Sequence, residues 1–533
     1  MQLASSGGPR VPASGLLIAG TSSDAGKSVI VAGLCRALAR RGLRVAPFKA
    51  QNMSNNSMVC ADGGEIGRAQ WVQAVAAGVE PATSMNPVLL KPGTDRRAFV
   101  VVRGAPAGVL EAGAYAAGRA HLRDAAFAAY RELSEDVELV ICEGAGSPAE
   151  INLRSGDYVN LGLAREFRLP VVVVGDIDRG GVLASLYGTW ALLDAEDRAL
   201  LTAFVINKFR GDESLLEPGL EEITRRTGIP FRGVIPWLLD VWLDSEDTLA
   251  VAQWRGFSVS DSVSDSGAGS PSPAAPRRLR VAVVRLPRIS NATDVDALAA
   301  EPGVDVLVTI DPNALEAADL VILPGSRSTA SDLAWLRERG LDGVLVARAA
   351  AGRPVIGICG GYQMLAAEIE DDVEGRVGNV PGLGLLPIRV EFGAQKVLAR
   401  PTGSWRGHAV EGAYEIHHGV ARHHGLHSGP LDGAGSSSGH ERRPIDAHPE
   451  PFLDGWAAGS VWGTMWHGAF ESDGFRRAWL TEIARHAGSD WSPEPHAPGF
   501  GERRERMLDT LAAAVEQHVD IDALLDDTRV GRR

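Results

Sequence analysis

Two short segments carry residue types whose spacing can do chemistry. The first, Gly20-Thr-Ser-Ser-Asp-Ala-Gly26-Lys27-Ser28, lies between an apolar run, GLLIAG, and an amphipathic run that begins at Lys27. The usual phosphate loop is G-x-x-x-x-G-K-[ST]; here five residues, Thr21 to Ala25, separate the glycines. Such glycines let backbone N–H groups approach phosphate oxygens, and the helix that follows adds partial positive charge. Lys27 is placed to neutralise phosphate and Ser28 to ligate Mg²⁺. Asp24 is unusual there, because a carboxylate repels phosphate unless a cation or an attacking group sits nearby. The second segment, RPVIGICGGYQML, runs from an apolar strand through Gly357-Ile-Cys359-Gly-Gly361 into a helix start. This is the G-x-nucleophile-x-G elbow with cysteine in place of serine. The bend exposes the sulfur above the sheet, and the helix start favours the thiolate.

Each segment needs partners. A cysteine hydrolase needs a general base, and two histidines follow in the chain. His448, in His448-Pro-Glu450, has the form of a base with its carboxylate but borders a low-complexity stretch, a poor support for a positioned imidazole. His467, in GSVWGTMWHGAF, comes directly off an apolar, aromatic strand and is the choice. The residue two places later is Ala469, so no carboxylate follows it. Gly360, after the cysteine, and Gly325, in the strand-end loop DLVILPGSRST, are the candidate oxyanion donors. For the phosphate loop, the partners belong at other strand ends. Glu143 in VELVICEGAG and Glu65 in GGEIGRAQ are candidate Mg²⁺ ligands beside Ser28. Lys49 ends LRVAPFK, and Asn207 lies in VINKFRGD where a base-recognition loop often sits. With Gly20, Thr21, Asp24, Gly26, Lys27 and Ser28 they make the nucleotide set. Taken singly, each is as well explained by a solvated charge at a strand end; their shared position raises them. Cys35, Cys142 and Cys60 read as ordinary buried cysteines. The histidines at 417, 418, 423, 424 and 427 are irregularly spaced and read as a solvated loop rather than a metal site, with His417 expected on a strand near the cysteine site.

The elements that must hold these residues follow an α/β pattern. GLLIAG, LRVAPFK, VELVIC, LPVVVVGD, TAFVINK and FRGVIP read as strands alternating with helices, apolar enough to be covered on both faces. The pattern restarts at LRVAVVRL, DVLVTI, DLVILPG and RPVIGIC, turns strand-rich from Leu385 to His467, and ends in helices over Asp473–His486 and Arg503–Leu525. Ser258 to Pro276 is Ser, Gly and Pro with nothing for a core, a linker. The resulting division is a phosphate-loop domain at 15–257, the linker at 258–276, a second domain at 277–487 with an insertion at about 421–447, and a tail at 488–533. Of 533 residues, 45% are hydrophobic and 23% charged, so global disorder is excluded. Lys plus Arg is 53 against 67 Asp plus Glu, a net charge of −14, which disfavours a nucleic-acid partner. Four cysteines in so long a chain make no disulfide framework, and a cytoplasmic setting is expected. No signal peptide or membrane span is expected from the first fifteen residues or the apolar runs.

Taken in order, GTSSDAGKS, FKAQNMSNNS, EIGRAQ, MNPVLLKP, CEGAGSPAEINL, DIDRGGV, VINKFRGD, ILPGSRST, GICGGYQML, YEIHHG and SVWGTMWHG resemble the glutamine-hydrolysing cobyric acid synthase family. The resemblance runs from about Leu16 to Phe475, and FKAQNMSNNS with MNPVLLKP separates it from the sister a,c-diamide synthases. It implies a P-loop NTPase-like parallel-sheet domain, similar to dethiobiotin synthetase, followed by a class I glutamine amidotransferase-like α/β domain. It implies ATP, Mg²⁺, glutamine and a corrinoid, with no tightly bound prosthetic group. The implied reaction is amidation of the b, d, e and g carboxylates of adenosylcobyrinic acid a,c-diamide, a carbon–nitrogen ligase step of cobalamin biosynthesis. Cys359 matches the family nucleophile and His467 its histidine; the third member is open, with Glu415 a guess. The rivals are an a,c-diamide synthase acting on cobyrinic acid or another tetrapyrrole, and a partitioning-type switch ATPase carrying an inactive amidotransferase domain.

Overall fold

The apolar runs of the first half become one six-stranded parallel sheet. Its order is Phe231–Pro236, Leu201–Phe209, Val171–Asp176, Ser14–Gly20, Leu139–Glu143, Val45–Phe48. The computed structural model describes residues 14–94, 97–111, 119–239, 241, 278–423 and 449–530. The linker at 258–276, the insertion beyond residue 423, and His448 lie outside them. The chain divides into two units, Met1–Glu246 with Arg503–Arg533, and Asp247–Glu502.

In the first unit, strand alternation builds two cores. Leu17 and Ala19 enter one cluster with Val140, Val171 and Val173; Leu16 and Ile18 enter the other with Ile141, Val172 and Val174. Apolar side chains on both sides of each strand therefore have a covered face to enter, as the uninterrupted runs required. The second cluster also takes Ile30, Val31 and Leu34 of the helix Lys27–Arg40, and Leu508, Leu511 and Val515 of the helix Phe500–His518. Residues 503–533 of the tail thus belong to this unit. The tail's single expected helix is two, Phe500–His518 and Ile521–Val530. The break has a cause: Val519 bridges to Gly233, Asp520 N–H donates to the Arg232 carbonyl at 2.8 Å, and Asp520 Oδ1 accepts from Ala523 N at 3.1 Å. A smaller four-stranded sheet is formed by Gln51–Met53, Val88–Thr94, Arg97–Val102 and Ala105–Glu111.

The second unit has its own sheet, ordered Val304–Thr309, Leu279–Val284, Leu320–Leu323, Val355–Ile358, Val461–Thr464, Gly455–Ala458, Glu450–Phe452. The first five strands are parallel and the last two antiparallel. A second sheet joins Gly378–Pro381, Glu368–Asp371, Ile388–Ala399 and Glu415–His423. The α/β reading of both halves holds. The helix expected at Asp473–His486 runs Asp473–Ala487. Among the described residues no helix is long and apolar enough to cross a membrane.

Candidate active site

In the second unit, four neighbouring parallel strands deliver one residue set to the same edge of the sheet. The loop after Leu279–Val284 carries Asp294, that after Leu320–Leu323 carries Gly325, Val355–Ile358 ends at Cys359, and Val461–Thr464 leads to His467. The elbow is tight. Cys359 has φ 50° and ψ −109°, a conformation side chains rarely adopt. A Cβ on Gly361 would stand 1.8 Å from the Leu323 carbonyl oxygen, one on Gly357 2.6 Å from the Gly361 backbone, and one on Gly360 2.7 Å from Ser326 N. Small residues are therefore obligatory around the sulfur. Cys359 N–H anchors the bend by donating to the Thr464 carbonyl at 2.7 Å.

His467 is fully buried. Its backbone is pinned by Tyr414, which exchanges hydrogen bonds with it at 3.0 and 2.9 Å and stacks on its ring. Nδ1 lies 2.7 Å from Asp294 Oδ2, while Asp294 Oδ1 accepts from Gly468 N at 2.8 Å. The aspartate is thus held from two sides and fixes the ring. Nε2 makes no hydrogen bond of regular geometry among the described residues, yet the Cys359 side chain acts on the ring both by charge and by hydrogen bonding. Burial opposes charge on this imidazole, but Asp294 and Cys359 outweigh burial and its pKa is pushed up to about 10. An imidazole with an oriented Nδ1 and a free Nε2 toward a thiol can shuttle protons. All four cysteines are buried, Cys359 at 5% exposure.

Asp294 is the residue that sequence reasoning missed. The guess for its place, Glu415, instead accepts from Trp466 Nε1 at 2.8 Å. The available signal was an acidic residue in the loop after LRVAVVRL, at the strand edge that already held the cysteine and histidine. Gly325 packs on the imidazole, its Cβ position 3.1 Å from His467 Cε1. Next to it, Ser326 Oγ donates to Asp332 at 2.7 Å; burial drives that carboxyl up to about 6. His417, His418 and His423 lie on one strand, and among the described residues no group of three His, Cys, Asp or Glu is arranged to hold a metal.

In the first unit, the loop from Gly20 to Ser28 joins the strand Ser14–Gly20 to the helix Lys27–Arg40 as expected. Asp24 and Gly26 turn it through the left-handed region, with φ of 57° and 95°. Thr21 N–H donates to the Val174 carbonyl at 2.9 Å, and Lys27 Nζ folds back onto the Ser22 carbonyl at 2.8 Å. Glu143 gathers the rest. Its Oε1 accepts from Ser28 Oγ at 2.9 Å and from Lys49 Nζ at 2.8 Å, and its Oε2 from Gln73 Nε2 at 2.6 Å. Burial works against its charge, but Lys49, Gln73 and Lys27 hold its carboxyl below the ordinary range. Ser28 and Glu143 thus present adjacent hard oxygens at a phosphate loop, a donor set that fits Mg²⁺ shared with phosphate oxygens. Glu65 is fully buried, accepts from Ser57 Oγ at 3.1 Å and is ion-paired with Lys91. Asn207 Nδ2 donates to the Ala25 carbonyl at 3.0 Å, so it braces the loop. Asp24 faces Arg179 at 3.3 Å, which supplies the cation its position calls for.

Comparison with known proteins agrees with this pairing of sites. Residues 16–249 match the CobQ/CobB/MinD/ParA nucleotide binding domain, and residues 280–475 the CobB/CobQ-like glutamine amidotransferase domain. The chain is 60% identical to a cobyric acid synthase of Cutibacterium acnes over 96% of its own length and 99% of that protein. It is 52% identical to one of Mycolicibacterium gilvum over 97% of each chain, and 54% identical to one of Streptomyces avermitilis over 96% of its own length and 95% of that protein. A chain that pairs these two domains over nearly its whole length is a glutamine-dependent ligase, and it belongs to the cobyric acid synthase family.

Proposed function

We propose that this enzyme amidates the b, d, e and g carboxylates of adenosylcobyrinic acid a,c-diamide, giving adenosylcobyric acid. A carboxylate resists ammonia because its leaving group would be oxide. Transfer of the ATP γ-phosphoryl group to a carboxylate oxygen gives an acyl phosphate, from which phosphate departs when ammonia attacks the carbonyl carbon. The loop amides and Lys27 hold the triphosphate, and Lys49 is the cation closest to Glu143. Mg²⁺ bound by Ser28 and Glu143 would neutralise phosphate charge.

The ammonia comes from glutamine. Cys359 Sγ attacks the side-chain amide carbon, with the oxyanion directed at the amides of Gly360 and Gly325. Protonated His467 gives its Nε2 proton to the departing nitrogen, leaving a glutamyl thioester and free ammonia. The same Nε2 then takes a proton from water, which displaces the thiolate and releases glutamate. Asp294 keeps the proton on Nδ1 throughout.

The observation that supports the reading most is the 2.7 Å bond between Asp294 and His467, whose other nitrogen stays free beside Cys359. The test is mass spectrometry of products from the purified enzyme with ATP, glutamine and the a,c-diamide. Added amides support the assignment. Action on the unamidated acid alone makes it an a,c-diamide synthase; no glutamine hydrolysis under any condition makes it a switch ATPase.

A further inference from the structure

The strand Glu415–His423 carries a partly buried polar pair for which glutamine hydrolysis, as described, has no use. Alternate side chains of a strand share a face, so Glu415, His417 and Gly419 lie on one side. A Cβ at Gly419 would stand 2.7 Å from Nε2 of Gln363, in the helix Gly360–Met364 that follows the nucleophile. That face is therefore turned toward the elbow. Glu415 is also tied to His467 through both neighbours: Tyr414 pairs with the histidine backbone, and Trp466 Nε1 donates to Glu415 Oε1 at 2.8 Å.

Hydrogen-bond accounting leaves two acceptors and no donor between them. Nδ1 of His417 lies 2.8 Å from the Gly419 carbonyl oxygen, which can only accept, so Nδ1 carries the proton. Nε2 is then a bare lone pair, without a hydrogen-bond partner, on a side chain only 7% exposed. It stands 3.9 Å from Glu415 Oε2. His467 acts as a cation on both groups and Lys396 acts on His417, but among the described residues no lysine or arginine forms an ion pair with Glu415. Burial pushes His417 down to about 4, so the ring is neutral, and burial raises the Glu415 carboxyl above its ordinary range. Burial causes both shifts, and the geometry leaves His417 Nε2 without the N–H donor it could accept from.

We propose that Glu415 and His417 receive the α-ammonium group of glutamine. The proposal rests on the reading that Cys359 attacks the side-chain amide of glutamine, and it names what recognises the other end. An ammonium group brings the donors and the positive charge together, a short aliphatic chain away from the reacting carbon. Ammonia in transit is a poorer occupant, because a carboxylate favours its protonated form, which has no lone pair for attack. A half-buried carboxylate left without that ammonium then disfavours an amide that lacks it.

The experiment compares hydrolysis of glutamine with that of glutaramate, which has the same amide and no α-amino group. In Glu415→Gln the ratio of kcat/KM for glutamine to that for glutaramate should fall about 10- to 100-fold, mostly through KM for glutamine. Alkylation of Cys359 by a chloroketone analogue of glutamine should slow by a similar factor relative to alkylation by iodoacetamide. Equal losses on both amides, or an unchanged alkylation ratio, would overturn the subsite. If Glu415→Gln does not fold, His417→Leu decides by the same two ratios. Wild-type enzyme that hydrolyses glutamine no faster than Cys359→Ser overturns the parent reading instead, which tells the two failures apart.

Discussion

Asp294 and His467 stand 173 positions apart in the chain and meet with Oδ2 2.7 Å from Nδ1. Both are buried, and the aspartate's second oxygen is held by the Gly468 amide at 2.8 Å. The carboxylate therefore fixes which ring nitrogen keeps its proton. Asp294→Asn preserves the shape and removes that control, so glutamine hydrolysis should fall about 10²- to 10⁴-fold. Amidation driven by added ammonia should survive. Ammonia release measured on the two proteins checks this, and a loss under threefold would give Asp294 a packing role only.

The same pair makes stability depend on pH. His467 is raised from 6.5 unfolded to about 10 folded, despite burial, by Asp294 and Cys359. A group raised in this way stabilises fully below the unfolded value and loses its contribution as pH climbs through the folded one. The melting temperature should thus decline between pH 6.5 and about 10. His467→Asn should show a shallower decline over that window. Parallel curves for the two proteins would contradict the shift.

Cys359 stores backbone strain at the elbow, with φ 50° and ψ −109°. Glycine tolerates that conformation and alanine does not. Both Cys359→Gly and Cys359→Ala should lack glutaminase activity, but the glycine variant should be the more stable by about 1–2 kcal/mol. Denaturant unfolding of the pair measures it; an alanine variant equal or higher in stability would argue for a relaxed bend.

Lys49 and Glu143 form a buried ion pair at 2.8 Å. Lys49→Met takes the directly paired cation from a buried carboxylate and should destabilise by about 3–5 kcal/mol. Adding Glu143→Gln should recover much of that loss, while ATP-dependent amidation stays absent in both. Simple additivity of the two single changes would refute the coupling.

What the sequence made legible follows from how local each signal is. Ser28, Lys27, Cys359 and His467 each sit in a short strand-to-turn segment whose residues dictate the bend, so type and spacing sufficed. Asp294 belongs to no such segment; only the strand order of the second unit brings its loop beside His467. Glu65 reads as a ligand from its charge, and its ion pair with Lys91 joins two separate strands, Glu65–Gly67 and Val88–Thr94, whose meeting no local pattern announces. The tail helix broke at Val519 because that residue bridges to Gly233, a tertiary contact without a helix-stop residue to announce it.

The central claim is that Cys359 supplies the nitrogen which an ATP-primed corrinoid carboxylate accepts. Glutamine carrying heavy nitrogen in its side-chain amide, incubated with ATP and the a,c-diamide, tests this in one mass spectrum. Wild-type enzyme should place the label in every new amide, and Cys359→Ser should place none while still forming unlabelled amides from added ammonia. Labelled product from Cys359→Ser, or an a,c-diamide left unchanged by the wild type, would contradict the account.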